Sequence, residues 1–217
     1  MYLMHGLISD GISRGSGTKE GNRMAEILAK TLSFGVGGVN GFPVHVEVFA
    51  TGGMPMIDII GLPDTSVRES KNRVMAAIVN SGKAVGTERI TVNLAPADIK
   101  KEGPSFDLPI ALGIMIATNQ LHPDSRIDLE QTAFFGELSL DGSVQPINGA
   151  LPMVISAKEN GIRDVILPEK NANEVACIQG MRILPVRNLI QVIDWLEQLE
   201  GITEQEQISF ETLKMQQ

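Results

Sequence analysis

Residues Phe42 to Ala50 read FPVHVEVFA, and the alternation is strict. Val44, Val46 and Val48 fall on one side of an extended chain; His45, Glu47 and Phe49 fall on the other. Successive side chains of a strand point to opposite faces, so the pattern demands a sheet with at least one covered face. Aromatic residues make up only 4% of the chain, so the core must be mostly Ile, Val, Leu, Met and Ala. At 43% hydrophobic and 217 residues, the chain suits one domain with tails.

The remaining elements follow from punctuation and period. Met56 to Leu62 is an apolar run that reads as a second, more buried strand, paired with Phe42–Ala50 as a hairpin across TGGMP. Pro63 and Asp64 end it. Ser66 and Glu69 have capping-box spacing. Val67, Val74, Ala77, Ile78 and Ser81 then recur on one helical side, Glu69 and Arg73 stand at i,i+4, and Gly82 is a stop. Arg89 to Leu94 is a strand. Asp107 is placed as N-cap of a helix from Leu108, with Pro109 inside the first turn where no bond is lost. Phe134 to Leu140 is a strand, Asp141-Gly142 a tight turn, and Val144 to Ile147 pairs back. Helices over Gly149–Asn160, Glu169–Cys177 and Leu189–Leu199 alternate with strands over Asp164–Leu167 and Met181–Leu184. The expected class is α/β (α+β): a mixed sheet with packed helices. Residues 1–23 are rich in Gly and Ser without period and read as a disordered leader, with Met24 as a natural start. Ala25 to Phe34 leads into the turn GVGGVNG.

Charge and composition exclude several functions. A net charge of -8 argues against a coat for phosphate backbones, although Asp64 to Lys101 holds seven Lys/Arg against four Asp/Glu. Glu197, Glu200, Glu204, Glu206 and Glu211 make an acidic end over 202–217 and its approach. The single cysteine, Cys177, allows no disulfide within the chain and fits a reducing cytoplasm. The apolar run Leu108 to Thr118 is shorter than the roughly 20 residues that cross a bilayer, so no membrane role is expected.

The candidate chemistry centres on GPS at 103–105. Ser105 sits in a tight turn near the positive end of a helix dipole, with Lys100 and Lys101 close by in sequence. A Ser–Lys pair needs a lysine held in a dry pocket, where it can act as base. The plainer reading is turn and cap chemistry. Ala77 to Ala84, AIVNSGKA, is the nearest approach to a phosphate-binding loop, but it lacks the first Gly and the final hydroxyl and reads better as a helix end. His5, His45 and His122 show no metal-ligand spacing; His45 reads as a sheet-surface residue.

GPSFDLPIALGI resembles the PKDGPSAG-type segment of Lon proteases, whose serine is the nucleophile, and residues 136–171 resemble the Lon segment that carries the general-base lysine. VEVFATGGMPMIDIIGLPDTSVRES, ITVNLAPADIKKEGPSFDLPIALGI and GELSLDGSVQPINGALP resemble more closely the N-terminal domain of Mg-chelatase-like ATPases of the YifB/ComM family, over about Met24 to Gly201. The resemblance implies a Lon-like domain of the ribosomal protein S5 domain 2-like fold over 24–201, joined through 202–217 to an AAA+ module. That module would bring ATP and Mg2+, neither expected in this chain. ComM members are implicated in DNA processing during natural transformation, as ring helicases. Carried across, the Lon serine lands on Ser105 and the Lon lysine on Leu151, which cannot accept a proton. Lys158 lies about two helical turns further on, roughly 10 Å along the axis.

The expected function is therefore a non-catalytic Lon-like domain that engages DNA or partners, or organises a homo-oligomeric ring, with no catalytic residue of its own. Two basic surfaces are the candidate binding sites: Arg68, Lys71 and Arg73 on the first helix, and Lys100 with Lys101 in the loop before Ser105. One alternative is a serine peptidase with Ser105 as nucleophile and Lys101 or Lys158 as base. The other is a pure oligomerisation module.

Overall fold

The computed structural model describes residues 27–84 and 86–208. The leader expected over 1–23 and the tail from 209 onward lie outside the described residues. Within them the chain builds one seven-stranded mixed sheet between two layers of helices.

The centre is a hairpin. β1 (Ile27–Gly37) and β2 (Asn40–Thr51) pair antiparallel around Gly38, whose φ of +66° suits a residue without a Cβ. Val44, Val46 and Val48 are fully buried and His45 is exposed, as the alternation requires. β1 itself carried no strand signal beyond its turn.

The expected hairpin between β2 and Met56–Leu62 does not form. β3 (Met56–Ile60) runs parallel to β4 (Arg89–Ala95), and β4 lies between β3 and β2. The reason is α1 (Thr65–Asn80), which follows β3 directly: a strand–helix–strand unit returns the chain parallel to its start. β3 is consequently an edge strand, half-buried rather than deeply buried. The cap of α1 also differs from the sequence pattern. Asp64, not Ser66, is the N-cap, its carboxylate accepting from Val67 N at 2.8 Å.

α2 (Asp107–Ala117) begins one residue earlier than expected, after a 3-10 turn over Pro104–Phe106, and Asp107 does not cap it. The expected Phe134–Leu140 strand splits into β5 (Thr132–Phe134), in the main sheet, and β6 (Glu137–Leu138), paired with β7 (Val144–Gln145). Gly136 makes the break: a Cβ there would meet Val144 Cγ1 at 2.7 Å. α3 (Ala150–Glu159), β8 (Asp164–Pro168), α4 (Glu169–Val175), β9 (Arg182–Val186) and α5 (Leu189–Leu196) follow the expected alternation. The sheet order is β3-β4-β2-β1-β5-β8-β9.

One core cluster joins α1, α2 and α5 to the sheet; the other joins α3 and α4 to its opposite face. The second layer stops short. Leu28 and Phe49, at the far ends of β1 and β2, stay exposed, as do Met56 and Ile60 on β3. Where α3 crosses β2, the approach is close: a Cβ on Gly41 would lie 2.7 Å from the Pro152 carbonyl oxygen and 2.6 Å from Ser156 Cβ. Gly41→Ala is therefore expected to lower unfolding stability by about 1–3 kcal/mol through overpacking, read from the urea midpoint.

Candidate functional site

The turn that carries Ser105 is held from three directions. Upstream, Lys101 bridges to Pro63: Lys101 N donates to Leu62 O at 3.1 Å and Asp64 N to Lys101 O at 3.0 Å. The second oxygen of Asp64 accepts from Gly103 N at 3.2 Å, so one carboxylate serves both the helix cap and the loop. Gly103, at φ +83°, then turns the chain into Pro104–Phe106. Across the turn, Gly136 N donates to Ser105 O and Leu108 N to Gly136 O, each at 3.0 Å.

Downstream lies Asp107, fully buried at the head of an apolar helix. Its carboxylate accepts from Arg73 Nε at 2.7 Å, Arg73 Nη2 at 3.1 Å and Leu138 N at 3.1 Å. Arg73 Nη2 also donates to Ser66 O at 3.2 Å. The expected Glu69–Arg73 pair is displaced, because a buried carboxylate binds a guanidinium more strongly than a solvated glutamate does. Burial pushes the Asp107 carboxyl up to about 6, against the pull of Arg73 and the Leu138 amide. The same pairing raises Arg73 above its usual range.

The predicted site residues separate. Ser105 is buried, and its Oγ has no hydrogen-bond partner among the described residues. Lys101 is also buried, its ammonium donating to the Pro96 carbonyl, and burial pushes its pKa down, with Asp98 opposing. Lys158 is exposed in the last turn of α3. Leu151 packs against the second core cluster while its N–H donates to Glu174 Oε1 at 3.2 Å. Of the basic surface residues, Arg68 and Lys71 remain exposed on α1, Arg73 is turned inward to Asp107, and Lys100 pairs with Glu102 at 2.7 Å. The structure brings both basic surfaces to one end of α1, with Lys101 sealed beneath and Arg73 drawn in.

The residue that sequence reasoning misassigned is Asp107. An acid heading a helix with no other charge was the available signal, since such a group needs a buried partner.

Phosphate chemistry finds no cradle here. The amides at Ala77–Ala84 are spent on the helix end: Ser81 N donates to Ala77 O, Gly82 N to Val79 O and Lys83 N to Ile78 O. Lys83 itself pairs with Glu197. No group of three or more metal-ligating side chains occurs among the described residues. A groove of about 930 Å³ opens beside β9, with Arg126, Arg163 and Arg182 in its wall. Each of the three pairs with its own aspartate, Asp124, Asp128 or Asp164, and the walls carry further acids.

The comparisons with known proteins agree with this architecture. The family model for subunit ChlI of Mg-chelatase matches residues 46–171. The YifB protein of Escherichia coli K12 is 39% identical over 160 residues, which is 74% of this chain and 31% of the relative. The competence protein ComM of Haemophilus influenzae is 36% identical over 165 residues, 76% of this chain and 32% of the relative. Similarity to Lon protease 2 of Bacillus subtilis is weaker, at 30% over 142 residues, 62% of this chain and 25% of the relative, and accords with a Lon-like fold. The chain thus spans about a third of the length of the YifB and ComM relatives it matches.

Two outcomes test the buried pair. Asp107→Ala strands the Arg73 guanidinium and the Leu138 amide, and is expected to cost about 3–5 kcal/mol in urea unfolding. Titration gives the second. A folded pKa near 6 exceeds the unfolded value of 3.8, so the stability this group contributes is full below about pH 4 and lost as the pH rises through 6. The advantage of wild type over Asp107→Asn should shrink by about 2 kcal/mol between pH 4 and pH 7. An advantage that grows with pH would show that the ion pair outweighs burial.

Proposed function

The chain belongs to the Mg-chelatase ChlI family, beside the YifB and ComM proteins, and from that premise we propose that it serves a full-length ATPase as a Lon-like domain that holds and positions partners without cutting peptides. One observation carries this reading. At the turn that resembles the Lon serine segment, the Ser105 oxygen is buried with no proton acceptor bonded to it among the described residues, and Leu151 stands where the resemblance puts the Lon lysine. A serine hydroxyl without an adjacent base is a weak nucleophile at neutral pH. The turn keeps its backbone bonds to Gly136, so the architecture persists apart from the chemistry.

Partner engagement or ring organisation fits the charge distribution better than a broad DNA contact. Of the five basic candidates, Arg73 and Lys101 are withdrawn into the fold and Lys100 is paired, which leaves Arg68 and Lys71 exposed and, among the described residues, without an ion-pair partner. ATP and Mg2+ belong, on this reading, to the part of the full-length protein that the chain does not span, and the setting is cytoplasmic.

A serine-reactive fluorophosphonate probe is expected to leave the chain unlabelled, with wild type and Ser105→Ala alike and an unfolded protein left intact. Labelling abolished by Ser105→Ala would establish the peptidase instead. Light scattering that finds self-association supports ring organisation. Single-stranded DNA binding that is lost in Arg68→Ala/Lys71→Ala and weakens with salt would move the role to DNA.

A further inference from the structure

The sheet has two edges, and the chain treats them differently. Along β9, residues 202–208 cover the edge: Gln205 N donates to Ile183 O at 2.8 Å, the Gln207 side chain to Met181 O at 2.6 Å, and Ile208 N to Ala176 O at 2.9 Å. Along β3, pairing is one-sided. Met56–Ile60 bonds to β4, and among the described residues its outward backbone groups meet no other backbone. Natural edges are blunted by short strands, charged side chains, proline, bulges or a covering segment. Five-residue β3, MIDII, lies between Pro55 and Pro63 and carries one charge, Asp58, with no proline and no lysine within it.

Register assigns its two faces. Met56, Asp58 and Ile60 lie beside Arg89, Thr91 and Asn93, on the face whose helices, α3 and α4, stop short of β3. Met56 and Ile60 are 46% and 50% exposed. Ile57 and Ile59 face the other way and pack against the first core cluster while staying partly exposed.

We propose that the free edge of β3 takes up one extended segment of a partner polypeptide, apolar–basic–apolar in alternation, as an added strand. The backbone dictates the extended form, because a row of outward N–H and C=O groups is matched by another strand. The side chains dictate the pattern. Apolar residues meet Met56 and Ile60, and a basic residue lies beside Asp58, whose present partner is the exposed Arg89 at 3.3 Å. Exposed pairs of that kind contribute little, so the carboxylate remains open to a second cation. A second copy of this chain fits less well: two β3 strands paired antiparallel about their centres set Asp58 against Asp58. The inference names where a partner docks, goes beyond the holding role proposed above, and does not depend on Ser105.

The test uses the 15N-labelled chain and two synthetic nine-residue peptides of alternating Ile and Thr, one with a central Lys and one with a central Glu. The Lys peptide is expected to shift the amides of Met56–Ile60, to slow their hydrogen exchange, and to bind several-fold more tightly than the Glu peptide. In Asp58→Lys, an exposed change, the preference should reverse. Three results would overturn the proposal: no shift at β3 with millimolar peptide, equal binding of both peptides in both proteins, or shifts at β3 that depend on protein concentration without peptide, which would make a second copy the occupant.

Discussion

A carboxylate that never meets solvent organises this end of the molecule. Asp107 heads a helix whose other residues are uncharged, and it is fully buried against the sheet. Left unpaired there, its charge would cost several kcal/mol. It therefore draws Arg73 from α1 and the Leu138 amide from β6, tying together segments 34 and 31 residues away in sequence. The Ser105 turn lies two residues upstream, between this pair and the Gly136 backbone bonds, so its shape follows from the same network. The network also takes a cation off the surface, which changes what α1 can present to a ligand.

The proposed function separates architecture from chemistry. The turn, the helix entry and the backbone bonds to Gly136 hold Ser105 in place. What a nucleophile requires besides position is a base, and among the described residues none is bonded to the oxygen of Ser105. Lys101 lies four residues away in sequence and is sealed in the fold, yet its ammonium is committed to the Pro96 carbonyl. On the reading proposed above, the domain acts through its outer surfaces: a mixed-charge end of α1, a groove whose arginines are paired, and a strand edge guarded by Asp58 alone.

How much of this was legible varied by element, and the reasons are physical. β2 was plain because one of its faces is buried and the other is not. β1 was invisible because Thr31, Leu32, Ser33 and Phe34 are all buried, so no alternation marks it. β3 misled in the opposite sense: its apolar run implies burial, whereas its place at the edge leaves Met56 and Ile60 half exposed. Asp107 fitted the N-cap rule, Ser66 with Glu69 fitted the capping-box rule, and Glu69 with Arg73 fitted the i,i+4 rule. All three local rules lost to tertiary partners, because a desolvated ion pair and a carboxylate serving two backbone amides outweigh contacts worth a few tenths of a kcal/mol.

Sequence alone determined the inward face of β2, the two stretches of helix–strand alternation after Gly149, the turn at Ser105 and the leucine at position 151, since each depends on residue type and spacing within a short window. Tertiary structure decided the order of the strands, the insertion of β4 between β2 and β3, the withdrawal of Arg73 and Lys101, and which sheet edge stays open. Periodicity states that a face is apolar; it does not state which element will cover it, and that choice is made by the whole fold competing for the same buried surface.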